Sequence, residues 1–216
     1  MTTPEIMFSE ARKSHLCLLQ IKIDRLKEFK MQEFKHWVLN FEDIKKIKEE
    51  KSWLNIPELS FLHSRKEYPA VYYFSSENVC DFDFYSSFRN AKLDSLSERK
   101  HGKTEKQTYN ISHVPKYKET HCIYAGSVLT NLYGRLISHL GAGNPGTGAL
   151  YLSQIVEPLS VKPKVTFHYQ LLEPKYLLVV EALERIVQDT LNPLIGRKTL
   201  SRMDKELIHS QEINIG

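Results

Sequence analysis

The chain has 216 residues, 41% hydrophobic and 26% charged, the balance of a globular domain with its own core rather than a disordered chain. Thirty basic against 26 acidic side chains give a net charge of +4, and 9 glycines with 9 prolines are too few for a collagen-like or linker-dominated architecture. No apolar run reaches the roughly 20 residues needed to span a bilayer. The first residues lack the order of a secretory signal, and Cys17, Cys80 and Cys122 suggest neither a disulfide framework nor a zinc site, so a reducing, cytoplasmic setting is expected.

In chain order, residues 1–60 are expected to form a helical N-terminal extension. Leu26, Phe29, Phe34, Trp37, Val38 and Phe41 recur at spacings of one to five among charges, which fits one or two amphipathic helices. Asn40 suits a helix end or cap, and Ile56-Pro57 marks a break, because proline disfavours helix in the residue before it. The aromatic, β-branched stretch 68–74 predicts a strand. A polar insertion follows over 75–119, with a helix near 86–99. Within it Arg89, Lys92, Arg99, Lys100, Lys103 and Lys106, with Lys116 and Lys118, face only Asp94, Glu98 and Glu105, a local net charge of +5. Such a surface suits a polyanion; the same run also fits a solvated loop or helix face.

Residues 121–125 predict a second strand, Gly126 and Ser127 a turn, and Asn131 the cap of a helix over 132–140. Gly141-Ala-Gly-Asn-Pro-Gly146 matches G-x-G-x-x-G in letters only. A dinucleotide fingerprint follows a strand and opens a helix, whereas this one follows a helix, so it is expected to be a C-cap and loop. Residues 164–172 alternate as a third strand, a helix is expected over 175–191, and a short one over 200–208. The expected class is α+β: a small, three-stranded, mainly antiparallel sheet flanked by helices, with the main domain over 61–200 and a tail over 201–216.

Spacing on the helices singles out candidates. Arg135 and His139 are four apart, on one face beside the stripe Leu132, Leu136, Leu140. In the later helix Val180, Leu183, Val187 and Leu191 form the core stripe, with Glu184 at its edge. Glu181 shares a face with Arg185 and Gln188 that reads as solvated, so Glu184 is the preferred functional carboxylate. Strand alternation puts Tyr72 and Phe74 on one face, Val71 and Tyr73 on the other.

The segment 122–127 followed by 131–140 resembles the second strand and first helix of the GIY-YIG nuclease superfamily. Tyr124-Ala-Gly126 stands for Tyr-Ile-Gly, Arg135 for the family's arginine and His139 for a histidine one turn later. Ala70-Val-Tyr72 is similar to the Gly-Ile-Tyr strand, and 182–193 to the helix that presents a metal-binding glutamate, with Glu184 nine residues before Pro193. Gly196 stands where the family has an asparagine. The long insertion resembles restriction endonucleases of the superfamily.

The resemblance implies a metal-dependent endonuclease of restriction or mobile-element type acting on double-stranded DNA, with a homodimer as the usual means of cutting both strands. It implies Mg2+, or another divalent ion such as Mn2+, held by Glu184; Arg135 on the phosphate; Tyr72 as base, Tyr124 positioning the phosphate and His139 assisting. Arg89, Lys92, Arg99, Lys100, Lys103 and Lys106 would bind the nucleic acid. Two alternatives remain open at this point: an inactive nucleic-acid-binding protein on the same fold, and a non-nuclease interaction module.

Overall fold

The computed structural model describes residues 4–42, 45, 52–78, 80–100, 112–143, 148–157, 159 and 162–196. Four strands form one antiparallel sheet: β1 (Lys35–Leu39), β2 (Ala70–Ser76), β3 (Cys122–Val128) and β4 (Val165–Leu171), in the order β1-β4-β2-β3. The class is α+β, as expected, with one strand more than the sequence indicated. The extra strand is β1, which lies inside the extension expected to be helical. Its residues Trp37 and Val38 are as suited to a strand as to a helix, and pairing with β4, Lys35 opposite Tyr169 through Leu39 opposite Val165, decides the matter. Before β1 the extension forms α1 (Pro4–Glu28), and after it residues 41, 42 and 45 are again helical. Asn40 then accepts the N–H of Glu42 through its side chain at 3.1 Å, a local cap just beyond the strand.

Alternation along β2 builds two layers. Tyr72 and Phe74 turn to one face, where they pack with Phe167 and Ile123 under α2 (Pro57–His63), α3 (Phe82–Lys100), α4 (Leu132–Leu140) and α5 (Leu152–Val156). Val71 turns to the other face, under the 3-10 turn Pro174–Val179 and α6 (Val180–Leu191), through Val179, Val180 and Leu183. Phe34 and Tyr73 extend that second core, rings 5.1 Å apart. Pro57 at the first position of α2 bears out the expected break at Ile56-Pro57, whereas the helix expected over 175–191 is a 3-10 turn opened by Pro174 and only then α6.

The helix expected over 86–99 begins earlier, at Phe82, because the Asp81 side chain accepts the N–H of Phe84 at 2.7 Å. The chain after α6 runs beside the outer edge of β3, where the N–H groups of Leu194 and Ile195 donate to the carbonyls of Cys122 and Ile123, both at 2.8 Å. Among the described residues no helix is long and apolar enough to cross a membrane. The expected helix over 200–208 and the middle of the glycine-rich loop, 144–147, lie outside the described residues.

Candidate active site

Gly126 lies opposite Tyr72 in the β2–β3 pairing. A Cβ there would sit 2.8 Å from the Tyr72 hydroxyl and 2.8 Å from Cε1 of Tyr124, so no other residue fits without displacing both rings. The register shifts by one residue where β3 passes Phe74 and Ser75. This bulge turns Ile123 into the core and leaves Tyr124 half-buried beside it, its ring centroid 6.1 Å from that of Tyr72.

α4 supplies the next two groups. Asn131 caps it from a left-handed conformation (φ 60°), its side chain accepting the Gly134 N–H at 3.0 Å, and Gly141 closes it at φ 94°. Both terminal signals read from the sequence hold. Leu132, Leu136 and Leu140 are buried and fix the helix on the sheet, so Arg135 and His139 face the tyrosines. Arg135 donates from Nε to the Tyr72 oxygen at 3.0 Å, from one terminal nitrogen to the Tyr124 oxygen at 3.2 Å, and from the other to the Gly148 carbonyl at 2.6 Å. His139 is 0% exposed. Its Nε2 lies 3.0 Å from the Tyr72 oxygen and its Nδ1 accepts the Leu150 N–H at 3.1 Å.

Burial sets the charge states. It pushes the Tyr72 phenol well above its ordinary pKa, with the Tyr124 phenol adding to the rise and Arg135 opposing it. That direction is opposite to what a tyrosine base at neutral pH requires. Burial, then Arg135, hold the His139 ring well below its ordinary value, so it is neutral. Burial also works against the Arg135 charge, but the two tyrosine oxygens outweigh it and the guanidinium stays protonated.

Glu184 arrives from the other layer. Val180, Leu183 and Val187 of α6 are buried against the sheet, and Glu184 sits half-buried at the margin of that stripe. The Ser127 hydroxyl donates to one carboxylate oxygen in a short bond, and the Gln188 amide donates to the other at 2.8 Å. Gln188 also reaches the Ala125 carbonyl at 3.3 Å. Glu184 is thus tied to residues on both sides of Gly126. Burial raises its carboxyl pKa, the Ser127 bond lowers it, Glu181 raises it and Arg135 lowers it. Its charge is also felt at Tyr72.

Tyr72, Tyr124, Arg135 and His139 therefore meet in one cluster, with Glu184 beside them and exposed Glu181 farther out on the same helix. A groove of about 410 Å³ adjoins, lined by Gln188 and Gly196 near the cluster and by His113 and Lys118 beyond. Of the expected nucleic-acid contacts, Arg89 lies exposed on α3 and Lys92 half-buried on it. Arg99 and Lys100 belong to the last turn of α3, and Lys103 and Lys106 lie outside the described residues.

Four participants escaped the sequence reading: Ser127, Gln188, Gly148 and Leu150. Gln188, expected on a solvated face with Glu181 and Arg185, is buried against the sheet instead, and its place four residues after Glu184 is the signal that marks it. Gly148 and Leu150 act through backbone atoms, which no side-chain pattern marks.

Compared with known proteins, the chain matches no family model, no curated protein and no solved structure.

Among the described residues no three His, Cys, Asp or Glu side chains group as a metal cage. Mg2+ needs less: one or two carboxylates, retained waters and substrate phosphate oxygens. Glu184 fits that requirement, since each of its oxygens holds one hydrogen-bond donor and keeps a further acceptor direction.

Proposed function

We propose that the protein is a metal-dependent endonuclease of GIY-YIG type that hydrolyses DNA phosphodiester bonds. The observation that supports this most is Arg135 bonded at once to Tyr72 and Tyr124, with its charge felt at the Glu184 carboxylate.

Phosphodiester hydrolysis requires charge neutralisation on the phosphate, an oriented water and a stabilised leaving oxygen. Arg135 has five N–H groups and spends three on Tyr72, Tyr124 and Gly148, which leaves two for the non-bridging oxygens of one phosphate. Glu184 holds the divalent cation, Mg2+ or Mn2+. Once bound, such an ion withdraws charge from a phosphate oxygen and acidifies a water. Of the two tyrosines, Tyr124 is half-buried and Tyr72 fully buried. Tyr124 therefore orients the water, and Tyr72 holds the arginine. The scissile strand follows the groove past Lys118, whose ammonium sits 2.6 Å from the Asn192 side chain. Arg89 and Lys92 of α3 add sequence-independent attraction.

The test is plasmid nicking with and without Mg2+. Arg135→Ala and Glu184→Ala should each abolish cleavage while circular dichroism stays native. Normal cutting by both variants would end the proposal. Burial of Tyr72 also favours a second reading, a nucleic-acid-binding protein that kept the fold without activity. It predicts DNA binding with no Mg2+-dependent nicking by the wild-type chain.

A further inference from the structure

A neutral imidazole carries one N–H and one bare nitrogen, and which is which depends on its partners. In His139, Nδ1 lies 3.1 Å from the backbone nitrogen of Leu150. That nitrogen can only donate, so Nδ1 is the bare acceptor and Nε2 carries the proton. Nε2 in turn lies 3.0 Å from the Tyr72 oxygen. The Nε of Arg135, another obligate donor, lies 3.0 Å from the same oxygen. Two N–H groups thus occupy both acceptor directions of one phenol oxygen. The phenol hydrogen is left with a third direction, and the phenol is enclosed: Tyr72 is 1% exposed and even a Cβ at Gly126 would come within 2.8 Å of its oxygen.

Residues 148–151 enforce the arrangement. Gly148 accepts from Arg135, Leu150 donates to His139, and both Leu150 and Tyr151 are fully buried. Tyr151 holds a left-handed conformation, φ 54°, uncommon for an aromatic residue, so the strap keeps its course at some backbone cost.

We propose that His139 is a positioning residue, a neutral Nε2–H donor that occupies one acceptor direction of the Tyr72 oxygen while Arg135 occupies the other, and so fixes the buried phenol that holds the arginine. His139 is then not the group that takes a proton from Tyr72 or from water. This rests on the nuclease reading only for the cleavage measurement.

Two measurements test it on the full chain. In 15N-histidine-labelled protein at neutral pH, the signal missing from His139→Gln should show a protonated Nε2 and a bare Nδ1. A protonated Nδ1, or both nitrogens protonated, overturns the inference. In Mg2+-dependent nicking, His139→Gln should stay within ~10-fold of wild type. Glutamine can accept the Leu150 N–H through its oxygen and donate to Tyr72 through its nitrogen. His139→Leu should lose ~100-fold or more. Loss in the glutamine variant as deep as in the leucine variant, in the ~10²–10⁴ range of a missing general base, overturns it. A wild-type chain that shows the Nε2–H tautomer but cuts nothing supports the His139 assignment and ends the nuclease reading instead.

Discussion

Two adjacent small residues on β3 do different work. Gly126 keeps a Cβ out of the 2.8 Å gap to the Tyr72 oxygen and the Tyr124 ring. Ala125 points to the other layer, 1% exposed beside Val187, and its carbonyl receives the Gln188 amide. A short side chain there lets α6 approach closely enough for Glu184 to reach Ser127. Gly126→Ala should therefore destabilise the fold by about 1–3 kcal/mol through overpacking. It should also lower cleavage more than that loss explains, since the tyrosines part. Thermal melting and nicking assays run on the same preparation check both. Tyr-x-Gly was visible in the sequence, but the reason for its glycine was not, because Gly126 meets Tyr72 only through the β2–β3 register. The burial of Tyr72 was equally hidden. It depends on packing against Phe167, 95 positions further along the chain.

Among the elements, those with local punctuation were the most legible. α4 runs from its asparagine cap to its glycine stop over the residues expected, and β2 and β4 fall on their aromatic and alternating stretches, but β3 continues through the turn expected at Gly126 and Ser127 as far as Val128, because both residues pair with β2. β1 was not legible. Only Leu39 of its five residues is buried, so it carries almost no alternation, and β4 rather than its own pattern makes it a strand. β4 brings an acid-sensitive element with it. His168 stacks on Tyr73 at 4.2 Å and bonds the Ser75 hydroxyl at 2.8 Å; burial and then His36 lower its pKa to about 4. His139 is lowered too. Unfolded histidines take up protons near pH ~6.5. The folded state refuses them, so this contribution is complete above that pH and shrinks as pH falls through it. For His168 the loss is complete near its folded value; for His139 it continues lower. The urea midpoint should therefore fall between pH 7 and pH 5. His168→Gln, which cannot be protonated, should make that fall shallower; an unchanged pH dependence in this variant would count against the buried neutral ring.

At the scale of the molecule, a net charge of +4 is modest, and its distribution matters more than its sum. Under the proposed function, attraction to DNA through Arg89 and Lys92 would act on phosphates and weaken with salt, because the counterions it releases gain less entropy in a more concentrated solution. Replacing both with alanine should reduce the salt dependence of binding by roughly one unit of slope per residue, uniformly across DNA sequences. Filter binding or fluorescence anisotropy from low to moderate salt measures it. An unchanged slope would assign α3 to some other surface role.

In the strand order β1-β4-β2-β3 the inner strands are β4 and β2, and β2 meets β3 and β4 only after most of the chain between them has been made. During synthesis Tyr72 emerges early, the arginine follows after half the chain has been made, and the carboxylate of residue 184 comes only near the end. Distant pairings close late because long loops cost entropy before contacts repay it. The cluster is thus completed only once α6 has been made, and a chain cut short before α6 carries its tyrosines without the carboxylate of Glu184.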